Sequence, residues 1–230
     1  MFSRLEKRLL YYPEPSEAGN WEYGWKRLVG SSPPQRHFLV FHGNAGNAKN
    51  RLSITGVFGD GAYYYHEYVG FGSLSHLAPN KKDIMKQAIT AVGSLDLTIP
   101  LYVVGESLGT GVACELVATC QLPLLRGLIL ITPYTTMTAM AHHLLPVVGA
   151  LLLKDRYNCV QYLQDVVKTR SQCKVIVVGA LDDEIIPLNH ASKVAVAGNG
   201  VLLYYRGGHN DCYLVAREWV PAVKLQLGLV

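Results

Sequence analysis

Apolar residues in this chain gather in short, nearly unbroken runs rather than alternating with polar ones. Residues 37–41 read His-Phe-Leu-Val-Phe, 101–104 Leu-Tyr-Val-Val and 127–131 Gly-Leu-Ile-Leu-Ile. Similar runs occupy 62–68, 175–178 and 201–205. Such runs, rich in β-branched and aromatic residues, predict strands buried on both faces. Helix-type stretches at 45–57, 81–95, 108–120, 188–197 and 213–227 separate them. Strands alternating with helices predict a mostly parallel sheet covered on both sides, a doubly wound α/β fold. Residues 21–29 fit an antiparallel strand at its edge, and Tyr63-Tyr64-Tyr65 reads as buried strand. No repeat, low-complexity tract or linker interrupts the pattern, so residues 1–230 are read as one domain. A short lid-like insertion is expected at about 135–170, where 137–153 is rich in Leu, Val and Ala.

Half of the 230 residues are hydrophobic and 17% are charged, which suits a large buried core. The net charge of +4 comes from scattered Lys and Arg, and Lys81-Lys82 is too short a run to form a nucleic-acid stripe. The five cysteines (Cys114, Cys120, Cys159, Cys173, Cys212) are odd in number and form no C-x-x-C, so neither a zinc site nor a redox motif is expected. Charges among residues 1–10 replace the apolar region that a signal peptide needs. The longest apolar stretch, 144–153, contains Pro146 and Gly149 and is far too short to span a bilayer. The expectation is a cytoplasmic protein without stable membrane insertion, unless an anchor precedes this chain.

Gly105-Glu106-Ser107-Leu108-Gly109 reads G-x-S-x-G between the run at 101–104 and the helix-type stretch at 108–120. A strand, a sharp turn and a helix are the setting of a nucleophile elbow, with Ser107 at the turn. The glycines leave room for the reversal, and Gly111 is expected to let the helix lie close to the sheet. Reactive groups in such sheets gather beyond the carboxyl ends of the strands. His42-Gly43-Asn44-Ala45-Gly46-Asn47 follows the first run, and its Asn44 N–H could join that of Leu108 in holding an oxyanion. Acids Asp182, Asp183 and Glu184 follow the run at 175–178, and His209 follows that at 201–205. The chain order Ser, acid, His is that of the α/β-hydrolase triad. Spacing from Gly179 favours Asp182 as the acid, and spacing back from Pro187 favours Asp183.

With these landmarks the chain resembles the α/β-hydrolase superfamily, and within it small serine hydrolases similar to the Bem46-like and lysophospholipase-like proteins. The resemblance spans about residues 9–227. It rests on 41–46, on Glu67-Tyr68-Val69-Gly70-Phe71-Gly72, on Gly105 to Gly111, on Thr132-Pro133-Tyr134, on Asp183-Glu184-Ile185-Ile186-Pro187 and on Gly208-His209-Asn210. Val69 and Phe71 depart from the residues usual at the second landmark. The resemblance implies hydrolysis of ester or thioester bonds in small acyl or lipid-like substrates through an acyl-serine. It also implies no metal or organic cofactor, and it favours Asp183 over Asp182. Glu106 is expected to shape the entrance by polar contacts, and Asp155 looks like part of a structural ion pair. The alternatives are a non-catalytic binding protein on the same scaffold, or a serine peptidase of the same fold.

Overall fold

The computed structural model describes residues 10–144 and 153–230. Its strands are β1 (Gly24–Val29), β2 (His37–Phe41), β3 (Gly61–His66), β4 (Leu101–Glu106), β5 (Leu125–Ile131), β6 (Lys174–Ala180) and β7 (Val201–Tyr205). They form a seven-stranded sheet in the spatial order β1-β3-β2-β4-β5-β6-β7. The edge strand β1 pairs antiparallel with β3, and all other pairings in this sheet are parallel. The helices are α1 (Lys81–Gly93), α2 (Leu108–Thr119), α3 (Met137–Leu144), α4 (Cys159–Thr169), α5 (Asn189–Ala197) and α6 (Ala216–Leu227).

The unbroken apolar runs are explained by what lies on each side of the sheet, because successive strand side chains point to opposite faces. Leu39, Phe41, Val103, Leu128, Leu130 and Val177 pack with α1, α2, α4 and α5. Phe38, Val40, Val104, Ile129, Ile131 and Val178 pack with Trp219, Val223 and Leu227 of α6. Ile54, in a short 3₁₀ helix at Ala48–Ile54, joins this second face. Tyr63, Tyr64 and Tyr65 are all buried, the middle one on the first face and the outer two on the second. Helix α4 packs against α2 and α5 as part of the helical layer. Residues 145–152 of the expected insertion lie outside the described residues.

Two expectations are corrected. The stretch 45–57 is not one helix: Ala45–Gly46 bridges in parallel to Tyr12–Pro13, and the 3₁₀ helix begins only at Ala48. Gly46, at φ 82°, breaks the helical path, and Asn47 caps the new start by accepting from the Asn50 N–H. The close approach of α2 to the sheet comes from Gly109 rather than Gly111. A Cβ on Gly109 would stand 2.3 Å from the Phe41 carbonyl oxygen, whereas one on Gly111 would strike the Tyr134 hydroxyl and the Tyr157 ring.

The 3₁₀ helix is tied to the end of β4 by an ion pair. Arg51 Nε and Nη2 donate to the two Glu106 oxygens at 2.7 and 2.5 Å, with both side chains largely buried. Burial opposes the Arg51 charge, and the carboxylate beside it outweighs that, so the guanidinium pKa rises. Arg51→Met should therefore cost about 3–5 kcal/mol, since it strands a buried carboxylate. The double variant Arg51→Met/Glu106→Met should recover much of the loss in urea denaturation. Additive losses would show that the two groups do not depend on each other.

At the end of β3, complete burial first and the neighbouring His42 second press the His66 imidazole down to about 3. In the unfolded chain a histidine titrates near 6.5. Between those values the unfolded chain binds a proton that the native one does not, so His66 leaves stability intact above pH 6.5 and lowers it as the pH falls toward 3. Urea midpoints measured from pH 7 to 4 should decline less steeply in His66→Phe than in the native chain. Parallel declines would remove His66 from the acid response.

Candidate active site

Parallel strands that end together at one edge of the sheet bring residues distant in sequence into one place. Ser107 stands directly after β4 with φ 50° and ψ −116°, a backbone conformation that is costly for a residue with a side chain. Thr110 anchors the turn, its N–H and hydroxyl donating to the Ser107 carbonyl at 3.0 and 2.6 Å. The Ser107 N–H donates to the Ile131 carbonyl. A Cβ on Gly105 would lie 2.6 Å from the Gly109 carbonyl oxygen, so that position accepts only glycine.

His209 lies on the loop after β7, with Nε2 2.9 Å from Ser107 Oγ. Its Nδ1 lies 2.9 and 3.0 Å from the two oxygens of Asp183, which follows β6. Asp183 Oδ1 also accepts the N–H groups of Ile185 and Ile186 at 2.9 and 2.7 Å, which fixes the carboxylate. Asp182 is exposed, and its backbone N–H donates to the Gly207 carbonyl. Glu184 accepts the His209 N–H at 3.0 Å, and Asp211 the Gly208 N–H at 2.8 Å. These two carboxylates shape the histidine loop, a part that spacing along the chain did not reveal.

A cavity of about 460 Å³ opens beside Ser107 and His209. Asn44 and Leu108 line it together with Leu10, Tyr134, Met137, Met140, Ile185 and Ile186. Met137 and Met140 come from α3. Among the described residues, no Asp, Glu, Lys or Arg lines the cavity. Leu108 opens α2, where the first N–H groups have no partner within the helix. Glu106 turns away from the cavity into the pair with Arg51, a partner 55 residues away that sequence reading missed. Asp155 accepts the Tyr11 hydroxyl at 2.8 Å.

The cysteines are free. Burial raises the pKa of Cys114, Cys120 and Cys212 and pushes Cys173 up to about 12, so these thiols are poor nucleophiles. Among the described residues no cluster of three or more His, Cys, Asp or Glu side chains is arranged to hold a metal ion. No helix among them is long and apolar enough to cross a membrane.

No protein-family model matches the chain. It is 28% identical over 201 residues to the lysophosphatidylserine lipase ABHD12 of Danio rerio, an alignment covering 78% of this chain and 50% of that protein. The chain thus spans about half the length of this curated relative. Among solved structures, it is similar to a lipase-esterase related protein from Clostridium acetobutylicum, with TM-score 0.64, 14% identity, and 87% of this chain and 98% of the other covered. It is also similar to a thermostable carboxyl esterase from Bacillus coagulans, with TM-score 0.61, 13% identity, and 88% and 93% covered. A monoacylglycerol lipase from Paleococcus ferrophilus matches at TM-score 0.58 and 12% identity, with 90% and 99% covered. With its mostly parallel sheet, its strand-turn-helix at Ser107 and these likenesses, the chain has the α/β-hydrolase fold.

Proposed function

We propose that this chain is a serine hydrolase that cleaves carboxylic ester or thioester bonds of small acyl or lipid-like substrates. The observation that carries the reading is the continuous line from Asp183 through His209 to Ser107, with both links at 2.9 Å, ending on a serine held in a strained turn. Neutral serine needs a base within hydrogen-bond reach. His209 takes the Ser107 proton through Nε2 as Oγ attacks the acyl carbonyl, then returns it to the departing alcohol or thiol. Asp183 holds Nδ1–H and stabilises the imidazolium that forms in between. The N–H groups of Asn44 and Leu108 receive the negative oxygen of the tetrahedral intermediate, each donor contributing on the order of 3 kcal/mol. Water activated by His209 then releases the acyl group from Ser107.

The uncharged cavity supports an apolar acyl chain as the part of the substrate that is buried. The relative named for lysophosphatidylserine and the neighbours named as esterases and a lipase point the same way. Chemistry without a cofactor fits these residues, since each step needs only water and the side chains and backbone amides already named.

A fluorophosphonate probe should label the native chain and leave Ser107→Ala unlabelled. A native chain that stays unlabelled would favour a binding protein on a hydrolase scaffold. Asp183→Asn should keep the fold yet lower kcat by as much as about 10⁴-fold, because His209 loses the partner that sets its tautomer. Asp182→Asn should stay within a few-fold of native, and the reverse ranking would move the acid by one residue. Across p-nitrophenyl esters of increasing length, kcat/KM should peak at short to medium acyl groups. A peak at long-chain lysophospholipid would mean a deeper acyl tunnel, and amidase activity without esterase activity would overturn the substrate class.

A further inference from the structure

Three consecutive carbonyls of the loop after β2 are each taken by a specific donor. The Tyr68 hydroxyl donates to the His42 carbonyl at 2.7 Å, and the Tyr12 N–H donates to the Asn44 carbonyl at 2.8 Å. Between them, the ring nitrogen Nδ1 of His42 lies 2.8 Å from the Gly43 carbonyl oxygen. A carbonyl only accepts, so Nδ1 carries the hydrogen. The Gly43–Asn44 peptide is trans and planar, and in such a unit the C=O and the following N–H point in opposite directions. Whatever fixes the Gly43 carbonyl therefore fixes the direction of the Asn44 N–H as well.

The His42 ring is itself held rigidly. It is 1% exposed, with the Tyr68 ring centroid 4.1 Å and the Phe71 centroid 5.2 Å away. Its Nε2 faces Glu67 Oε1 at 3.5 Å, and that oxygen also accepts the Ala48 N–H at 3.1 Å. One side of the imidazole thus faces a buried carboxylate while the other grips the loop.

We propose that His42 is a positioning residue of the oxyanion site: its Nδ1–H locks the Gly43–Asn44 peptide so that the Asn44 N–H stays available to the tetrahedral oxygen at Ser107. The inference rests on the serine-hydrolase reading above. It gives His42 no contact with substrate, and Asn44 lines the cavity while His42 does not.

Two variants separate the two ring nitrogens. The side-chain amide introduced by His42→Asn can place an N–H where Nδ1 stands. That introduced by His42→Gln places one near Nε2 and leaves the Gly43 carbonyl unheld. His42→Asn should keep kcat within about threefold of native. His42→Gln should lose up to about 100-fold in kcat, with KM changed less than threefold, because the lost donor acts on the transition state. Its affinity for a trifluoromethyl ketone, which forms a tetrahedral oxyanion on serine, should fall in parallel. Equal behaviour of the two variants, or a loss confined to KM, would overturn the inference. Long-range ¹⁵N–¹H correlation on the native chain provides a test independent of variant folding: a protonated Nδ1 on His42 is expected, and a bare Nδ1 sinks the proposal. A native chain unlabelled by fluorophosphonate would instead sink the hydrolase reading itself, while a labelled native chain with indistinguishable variants would sink this inference alone.

Discussion

The site depends on one strained residue. Ser107 sits at φ 50° without the freedom of a glycine, a conformation that costs roughly 1–3 kcal/mol and persists only when its surroundings leave no alternative. Those surroundings are backbone. Gly105 lets the chain reverse against the Gly109 carbonyl, and Gly109 lets α2 close on the Phe41 and His42 carbonyls. With no side chain at these two positions, Leu108 opens α2 beside the loop that follows β2. The same closeness that forces the strain puts the helix N–H groups and the Asn44 loop around one cavity.

Buried charge is placed around this turn rather than within the cavity. Glu106 turns toward Arg51 and joins the 3₁₀ helix to the elbow. Glu67 faces His42 and the start of the same 3₁₀ helix. Each carboxylate accepts a hydrogen bond that fixes a segment, which is how a buried acid is tolerated at all. The cavity keeps Leu10, Met137, Met140, Ile185 and Ile186, an apolar lining around the Ser107–His209 pair.

Much of this was legible in the residues alone. Strands buried on both faces must be apolar at every position, so their runs marked the sheet to within a few residues, and residues 21–29 contained the antiparallel edge. The elbow was legible because its turn demands small residues at fixed offsets from Ser107. Residues 45–57 were misread because apolar spacing there suits a helix, while Gly46 and the Asn47 cap divide the segment into a bridge and a 3₁₀ turn. Gly111 was given the wrong neighbour for a related reason: spacing shows that a helix has a bare face, not whether sheet or tyrosine fills it.

By itself the sequence determined which segments form the sheet, where the chain turns at Ser107 and the order of serine, acid and histidine, because each follows from local sterics and the period of side chains along a strand. Only the tertiary structure decided that Asp183 rather than Asp182 faces His209, since adjacent side chains diverge and the partner lies 26 residues on. It alone paired Arg51 with Glu106 across 55 residues and turned the His42 ring onto the Gly43 carbonyl. Such contacts have no period and no fixed spacing. They exist because the sheet brings the ends of separate strands together, and that closeness in space is not written as closeness along the chain.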